Sequence, residues 1–211
     1  MSLELFIENN KNEIINMIID HLRIETQNNQ NYEVVWKEYQ VQVCNIMVSF
    51  FNENNFDDII VTTKKSTYPE FTVIYNGKKY AFDVKVSIDT QDPAYDIARL
   101  DTFIERIKKY KKEYEIIVKY NILSGVVNVY LEELHNVIGI QKKQNGIVKF
   151  RPYDGKIRPK NWFDFENNIS YFSDEYELID GIKRAQILRN KTLVENWKRE
   201  FTKDEFNLIF N

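Results

Sequence analysis

The sequence predicts an α/β fold: a mixed β-sheet with a central antiparallel hairpin, flanked by helices on both faces. Three observations carry this. The chain opens with two stretches of helical apolar spacing. Asn76-Gly77 then stands between alternating apolar residues in "YPEFTVIYNGKKYAFDVKV", the pattern of a two-residue hairpin. Finally, the strand-like runs "EIIVKYNI" and "VVNVYL" follow a helical stretch and precede another, an order that suits layered α/β packing. At 211 residues the chain reads as one domain, 1–211, long enough to bury a substantial core.

The elements follow in order. In "LELFIENNKNEIINMIIDHLRI", Leu5, Ile14, Ile15, Ile18, Ile19 and Leu22 recur at helical spacing. After the polar "ETQNNQNYE", a second helix over 33–54 carries the stripe Trp36, Tyr39, Val43, Met47 and Phe50, with Cys44 as a small core residue. "DIIVTT" is a short strand leading into the hairpin. "SIDTQDPAYD" is a loop, and a basic helix is expected over 97–112. Two strands follow, parted by Leu123-Ser124-Gly125, and "EELHNVIGI" is a helical turn entering another strand, with His135 as a surface or satisfied histidine. "NGIVKFRPYDGKIRPKNWFDF" reads as a strand and then a loop punctuated by Pro and Gly. Asp174 with Glu177 offers a capping box for "DEYELIDGIKRAQILRN", and Thr192 with Glu195 and Thr202 with Glu205 offer starts for two last helices.

Scarcity narrows the chemistry. None of the six glycines falls in G-x-G-x-x-G or G-x-x-x-x-G-K-[ST] spacing, so no nucleotide cofactor is expected. The two histidines, His21 and His135, are far apart with no Cys or His beside them, which argues against a zinc site and against a Ser-His-Asp mechanism. A single cysteine, Cys44, excludes an internal disulfide; with no apolar run near the ~20 residues of a membrane span and no secretory pattern at the start, a cytoplasmic protein is expected. Carboxylates, lysine and a hard metal ion are left to do the work. The net charge of −3 hides a basic stretch: 141–161 holds Lys142, Lys143, Lys149, Arg151, Lys156, Arg158 and Lys160 against one acid, Asp154. Local density of this kind sets an electrostatic footprint that overall charge does not reveal.

The hairpin register places the candidate site. A type I′ turn at Asn76-Gly77 pairs Tyr75 with Lys78, hence Phe71 with Phe82 and Glu70 with Asp83. Alternation puts Phe71, Val73, Tyr80, Phe82, Val84 and Val86 on an apolar face, and Glu70, Thr72, Ala81, Asp83 and Lys85 on the other. Cβ atoms directly opposed across a pair lie about 4.5–5.5 Å apart. Two carboxylates so close need a cation between them or a shared proton. Lys85 supplies one positive charge, and a divalent ion such as Mg²⁺ or Mn²⁺ would supply more, with phosphate and water completing its shell. An incidental surface cluster of Glu, Asp and Lys is the plainer alternative.

Pro69-Glu70 followed by Asp83-Val84-Lys85 resembles the motif of the PD-(D/E)XK nuclease superfamily. Within it the chain looks most like the EcoRV-like type II restriction endonucleases, through "YPEFTVIYNGKKYAFDVKVS", "VVNVYLEEL", the loop before "WFDF" and "DEYELIDGIKRAQILRN". The resemblance implies a restriction-endonuclease-like sheet, with Glu70 and Asp83 binding the catalytic Mg²⁺ and Lys85 orienting or activating the attacking water. The reaction implied is in-line hydrolysis of a double-stranded DNA phosphodiester, leaving 5′-phosphate and 3′-hydroxyl ends. A Glu at position 70 in place of Asp departs mildly from the motif, since either ligates Mg²⁺. A further glutamate from the preceding helix is implied; Glu38 is the candidate, and Gln40 falls as close to the matching position. By the same likeness Arg151, Lys156, Arg158, Lys160 and Asn161 would contact DNA as a recognition loop, and Arg99 would touch backbone or minor groove. A symmetric homodimer is implied, and the N-terminal helix either joins protomers or packs on its own domain. Two rivals stand beside this reading: a repair, junction-resolving or nicking nuclease with the same site, and a DNA-binding subunit that does not use it.

Overall fold

The computed structural model describes residues 2–25, 32–56, 58–62, 68–90, 92–141 and 146–200, without the side chains of 24–25, 32–36 and 197–200. Lys142 and Lys143, the side chain of Trp36 and the helix start expected at Thr202 lie outside this set.

Asn76 and Gly77 both have positive φ, 51° and 72°, as a type I′ turn requires. They join β2 (Phe71–Tyr75) to β3 (Lys78–Ile88) in the expected register, Tyr75 opposite Lys78 and Phe71 opposite Phe82. β1 (Ile59–Val61) pairs antiparallel with β2 at the sheet edge. β4 (Lys112–Asn121) runs parallel to β3, and β5 (Gly125–Glu133) antiparallel to β4, giving a mixed five-stranded sheet in the order β1-β2-β3-β4-β5. Asn121 turns the last hairpin: its Oδ1 accepts the N–H groups of Leu123 at 2.9 Å and Ser124 at 3.3 Å.

Two apolar cores lie on the two faces. On one, Phe71, Phe82 and Tyr114 stack in a row across β2, β3 and β4, with ring centroids 4.8 and 5.2 Å apart. They are covered by α1 (Leu3–Glu25) and α2 (Tyr32–Glu53). α1 lies on β5 and α2 on β3. The stripe of α1, Leu3, Phe6, Ile7, Ile14, Ile18 and Leu22, is in this core, so it packs on its own sheet. On the other face Ile117 and Tyr130 meet α3 (Leu100–Ile107), α4 (Leu134–Val137), α5 (Trp162–Glu166) and α6 (Glu175–Glu200).

Four boundaries differ from expectation, each for a local reason. The helix expected over 97–112 is only α3, because the chain before it is extended: the Ile97 N–H donates to Ile157 O at 3.0 Å and Arg99 bridges Lys156. Its far end is lost to β4, which begins at Lys112, after the Lys111 N–H donates to Lys79 O at 2.7 Å. Thr192 does not start a helix. α6 runs through it, and its hydroxyl donates to Leu188 O one turn back, 3.1 Å away. "WFDF" is helical rather than loop, because Asn161 caps it. Capping at the start of α6 holds: the Glu177 N–H donates to Asp174 Oδ1, while Glu177 Oε2 accepts from the N–H and hydroxyl of Ser173, one residue before the position a capping box would use. Among the described residues, no helix is long and apolar enough to cross a membrane.

Candidate active site

The β2–β3 ladder ends at Phe71 and Phe82, so the backbone pairing of Glu70 with Asp83 that the register predicts is not made. The backbone of Val84 therefore needs partners from outside the β2 strand. Side chains supply them. Glu70 Oε2 accepts the Val84 N–H at 3.0 Å, and Gln40 Nε2, from α2, donates to Val84 O at 3.0 Å and to Glu70 Oε1. Val84 stands between Asp83 and Lys85, so this clamp fixes the backbone that presents both. Behind Glu70, its own carbonyl accepts the Thr62 N–H at 2.8 Å, tying it to the end of β1.

Asp83 is 2% exposed, and its Oδ2 lies 2.5 Å from Lys85 Nζ, whose side chain is 20% exposed. Glu70 and Asp83 are within hydrogen-bond reach of one another. Burial, then the bond to Asp83 and its charge, push Glu70 up to about 9, against the pull of Lys85 and the Val84 N–H. Burial also opposes ionisation of Asp83, but the Lys85 ammonium and the bond from Glu70 outweigh it and hold Asp83 below its usual value. Burial disfavours charge on Lys85, yet Asp83 and Glu115 raise it. The pair thus holds a proton on Glu70 and a charge on Asp83, balanced by one ammonium group.

A second charged layer lies beside it on the same sheet face. Glu115 on β4 is register partner to Asp83, fully buried, and pushed up to about 8 by burial and then by Asp83. Arg106 of α3 donates to Glu113 Oε2 at 2.8 Å and to Ile97 O at 2.8 Å, and its guanidinium sits 3.2 Å over the ring centroid of Tyr68. The Tyr68 hydroxyl donates to Glu113. This layer supports the corner from which Glu70 projects.

The basic stretch forms a hairpin, with Phe150 bridging Ile157 and the Arg151 N–H donating to Lys156 O at 2.9 Å. Arg151, Lys156 and Arg158 all reach Asp96, in the loop that follows β3, and Lys149 reaches Asp92 at 3.2 Å. Arg99 is exposed beside it and pairs with Asp101 at 2.6 Å.

No family model and no curated protein sequence matches this chain. Among solved structures it is similar to the NlaIV restriction endonuclease, with a TM-score of 0.52 and 18% identity over 86% of this chain and 76% of that one. The chain has a restriction-endonuclease-like fold. In this fold the central hairpin carries Glu70, Asp83 and Lys85 to one point, and the remaining expected residues divide.

Three of them need correction. Glu38 is exposed, while Gln40 is the α2 residue bonded to Glu70; two positions along a helix turn the side chain through about 200°. Lys160 is 4% exposed, its Nζ donating to Ile169 O at 2.8 Å and lying 4.6 Å from the Phe165 ring centroid, so it is buried structure rather than a groove contact. Asn161 Oδ1 accepts the Asp164 N–H at 2.9 Å as the cap of α5. The sequence reading missed Glu113, Glu115, Arg106, Tyr68 and Asp96. A signal existed for two of them: in "KEYEIIVKY", Glu113 and Glu115 alternate with core residues and so share the face of Asp83.

Among the described residues, no three His, Cys, Asp or Glu side chains form a metal cage by themselves. The donor set still suits Mg²⁺, which binds one or two carboxylates and keeps several waters. Asp83 Oδ2 is buried without a hydrogen-bond partner beyond its contact with the Lys85 ammonium, so the pair offers hard oxygen toward a cation.

Proposed function

We propose that this chain is a Mg²⁺-dependent type II restriction endonuclease that hydrolyses phosphodiester bonds of double-stranded DNA at a specific, palindromic site, acting as a homodimer. The observation that carries the reading is the Val84 clamp: Gln40 and Glu70 hold the one residue between Asp83 and Lys85, so two acids and an ammonium group converge where β2 leaves the middle of β3. The likeness to a restriction endonuclease supports the same reading at the level of fold.

Glu70 and Asp83 would hold Mg²⁺, or Mn²⁺ in its place. When bound, the ion acts as a Lewis acid on the phosphate and lowers the pKa of a coordinated water. Glu70 would hold the ion in its ionised form, with Gln40 and the Val84 N–H fixing its carboxylate in place. Lys85, whose Nζ lies 2.5 Å from Asp83 Oδ2, would orient the attacking water and stabilise charge developing on the phosphate. Arg151, Lys156, Arg158 and Arg99 face the duplex: phosphate contacts give affinity, and arginines that reach base edges read guanine bidentately. A second protomer related by two-fold symmetry supplies the cut on the other strand.

Incubation of the purified chain with plasmid DNA in Mg²⁺ tests this. Discrete fragments with 5′-phosphate ends are expected, with none in EDTA. Asp83→Asn is expected to abolish cutting and to leave DNA binding intact. Absence of cleavage in both Mg²⁺ and Mn²⁺, or an Asp83→Asn variant as active as the parent, would overturn the proposal. Nicks alone, or a preference for branched DNA, would favour a nicking or junction-resolving enzyme.

A further inference from the structure

Three cations of the basic hairpin converge on a single carboxylate. Asp96 Oδ2 accepts from Arg151 Nη2 at 2.9 Å and from Lys156 Nζ at 3.0 Å, while Oδ1 accepts from Arg158 Nη1 at 2.7 Å. Arg158 is anchored further by donating to Pro93 O at 3.2 Å. Asp96 does not belong to the hairpin. It lies in the loop that continues β3, the strand of Asp83 and Lys85. Within the hairpin, Asp154 Oδ2 also accepts from Arg151, at 2.6 Å. Three cations against two acids leave one net positive charge at this face, and removal of Asp96 would leave two.

A carboxylate oxygen and a phosphate oxygen accept the same charge-assisted bonds from arginine and lysine. Asp96 therefore already makes the contacts that a DNA phosphate would make with these side chains. Sequence-independent affinity for DNA comes from cations that neutralise phosphates and release counterions. Cations gathered on Asp96 contribute little to it until something displaces the carboxylate from several bonds together. Discrimination can be built by penalising the wrong partner as well as by favouring the right one.

We propose that Asp96 is a specificity-determining residue for the DNA binding inferred above. It withholds Arg151, Lys156 and Arg158 from indiscriminate phosphate contacts and yields them to a duplex only where base contacts in the groove compensate the exchange. The inference rests on the proposed function, and its test separates the two.

Binding of a mixed-sequence duplex of about 30 base pairs is measured by fluorescence anisotropy in EDTA, from 50 to 200 mM KCl. The proteins compared are the parent, Asp96→Asn, Asp96→Ser, Asp96→Glu and Asp20→Asn. Asp20 is exposed on α1, against the opposite face of the sheet, and its substitution removes the same unit of charge. Asp96→Asn and Asp96→Ser are expected to bind more tightly than the parent at every salt concentration. Their plots of log K against log salt are expected to be steeper by about 0.9 for each cation set free. Asp96→Glu, which restores a carboxylate, and Asp20→Asn are expected to keep the parental slope. A parental slope in both neutral Asp96 variants, or the same steepening in Asp20→Asn, overturns the inference and leaves the nuclease reading standing. If no protein of the set binds the duplex at 50 mM KCl, both fall.

Discussion

At the scale of single residues, the site depends on how two acids share one proton. Glu70 and Glu115 stand near 9 and 8 in the folded chain, from an ordinary value of 4.5. Between those limits the folded state holds protons that the unfolded chain has released, so the associated stability is full at low pH and is lost as pH rises. Asp83, held low, acts only at the acid end. In metal-free buffer the melting temperature is thus expected to fall from pH 5.5 to pH 9, with a shallower fall in Glu70→Gln and a Mg²⁺-induced rise that grows with pH. Thermal melts at several pH values check this; a melting temperature that climbs over that range would contradict it. Gln40 gives a second prediction. Gln40→Ala leaves Val84 O without its partner, at a cost of about 1–3 kcal/mol, and is expected to lower cleavage while DNA binding persists; Glu38→Ala is expected to do neither. The sequence could not choose between these two because the apolar stripe sets the phase of the helix but not which of its polar residues meets Glu70, a partner 30 positions away. It could put Asp83 and Lys85 on one face, because alternation is local; Glu70 reaches them through its side chain, beyond the end of the ladder.

At the scale of elements, the same distinction between local and distant causes explains what was legible. The β2–β3 hairpin follows from Asn76-Gly77, and α1 and α2 from apolar spacing, so these were readable. The bounds of α3 were not, because pairing of Ile97 with Ile157 before it and of Lys111 with Lys79 after it, partners remote in sequence, decides where the helix starts and stops. Lys160 and Asn161 were misread for a related reason: composition marks a basic loop but not which of its side chains turn inward. Asn161→Ala is accordingly expected to destabilise the chain by about 0.5–2 kcal/mol through loss of a helix cap, and to leave the salt dependence of DNA binding unchanged. Urea unfolding and a salt titration measure the two. At the turn itself, a Cβ on Gly77 would meet nothing within 4 Å, so Gly77→Ala tests backbone conformation alone. With φ at +72°, that substitution is expected to cost about 1 kcal/mol without disturbing the core.

At the scale of the whole molecule, the sheet sorts its two faces by chemistry. One face is aromatic and aliphatic under α1 and α2; the other sets a charged layer beside its own apolar core. Arg106 is the joint of that second layer. It reaches Glu113 on β4, Tyr68 before the Glu70 corner, and the carbonyl of Ile97, whose N–H pairs with the basic hairpin. The Glu70 corner and the hairpin are therefore fastened to the same guanidinium. Its side chain is 12% exposed and that of Glu113 4%, so the pair is buried enough that losing one partner strands a charge. Breaking such a pair costs about 3–5 kcal/mol, whereas exchanging both partners for apolar residues of similar size costs far less. Arg106→Met alone is expected to destabilise the chain by about that amount, and Arg106→Met combined with Glu113→Leu to recover part of it. Glu115, 3.7 Å from Arg106 Nη2, limits the recovery, because its carboxyl remains buried in both variants. Urea unfolding of the two single variants and the double closes the cycle, and simple additivity would show that Arg106 and Glu113 are not coupled.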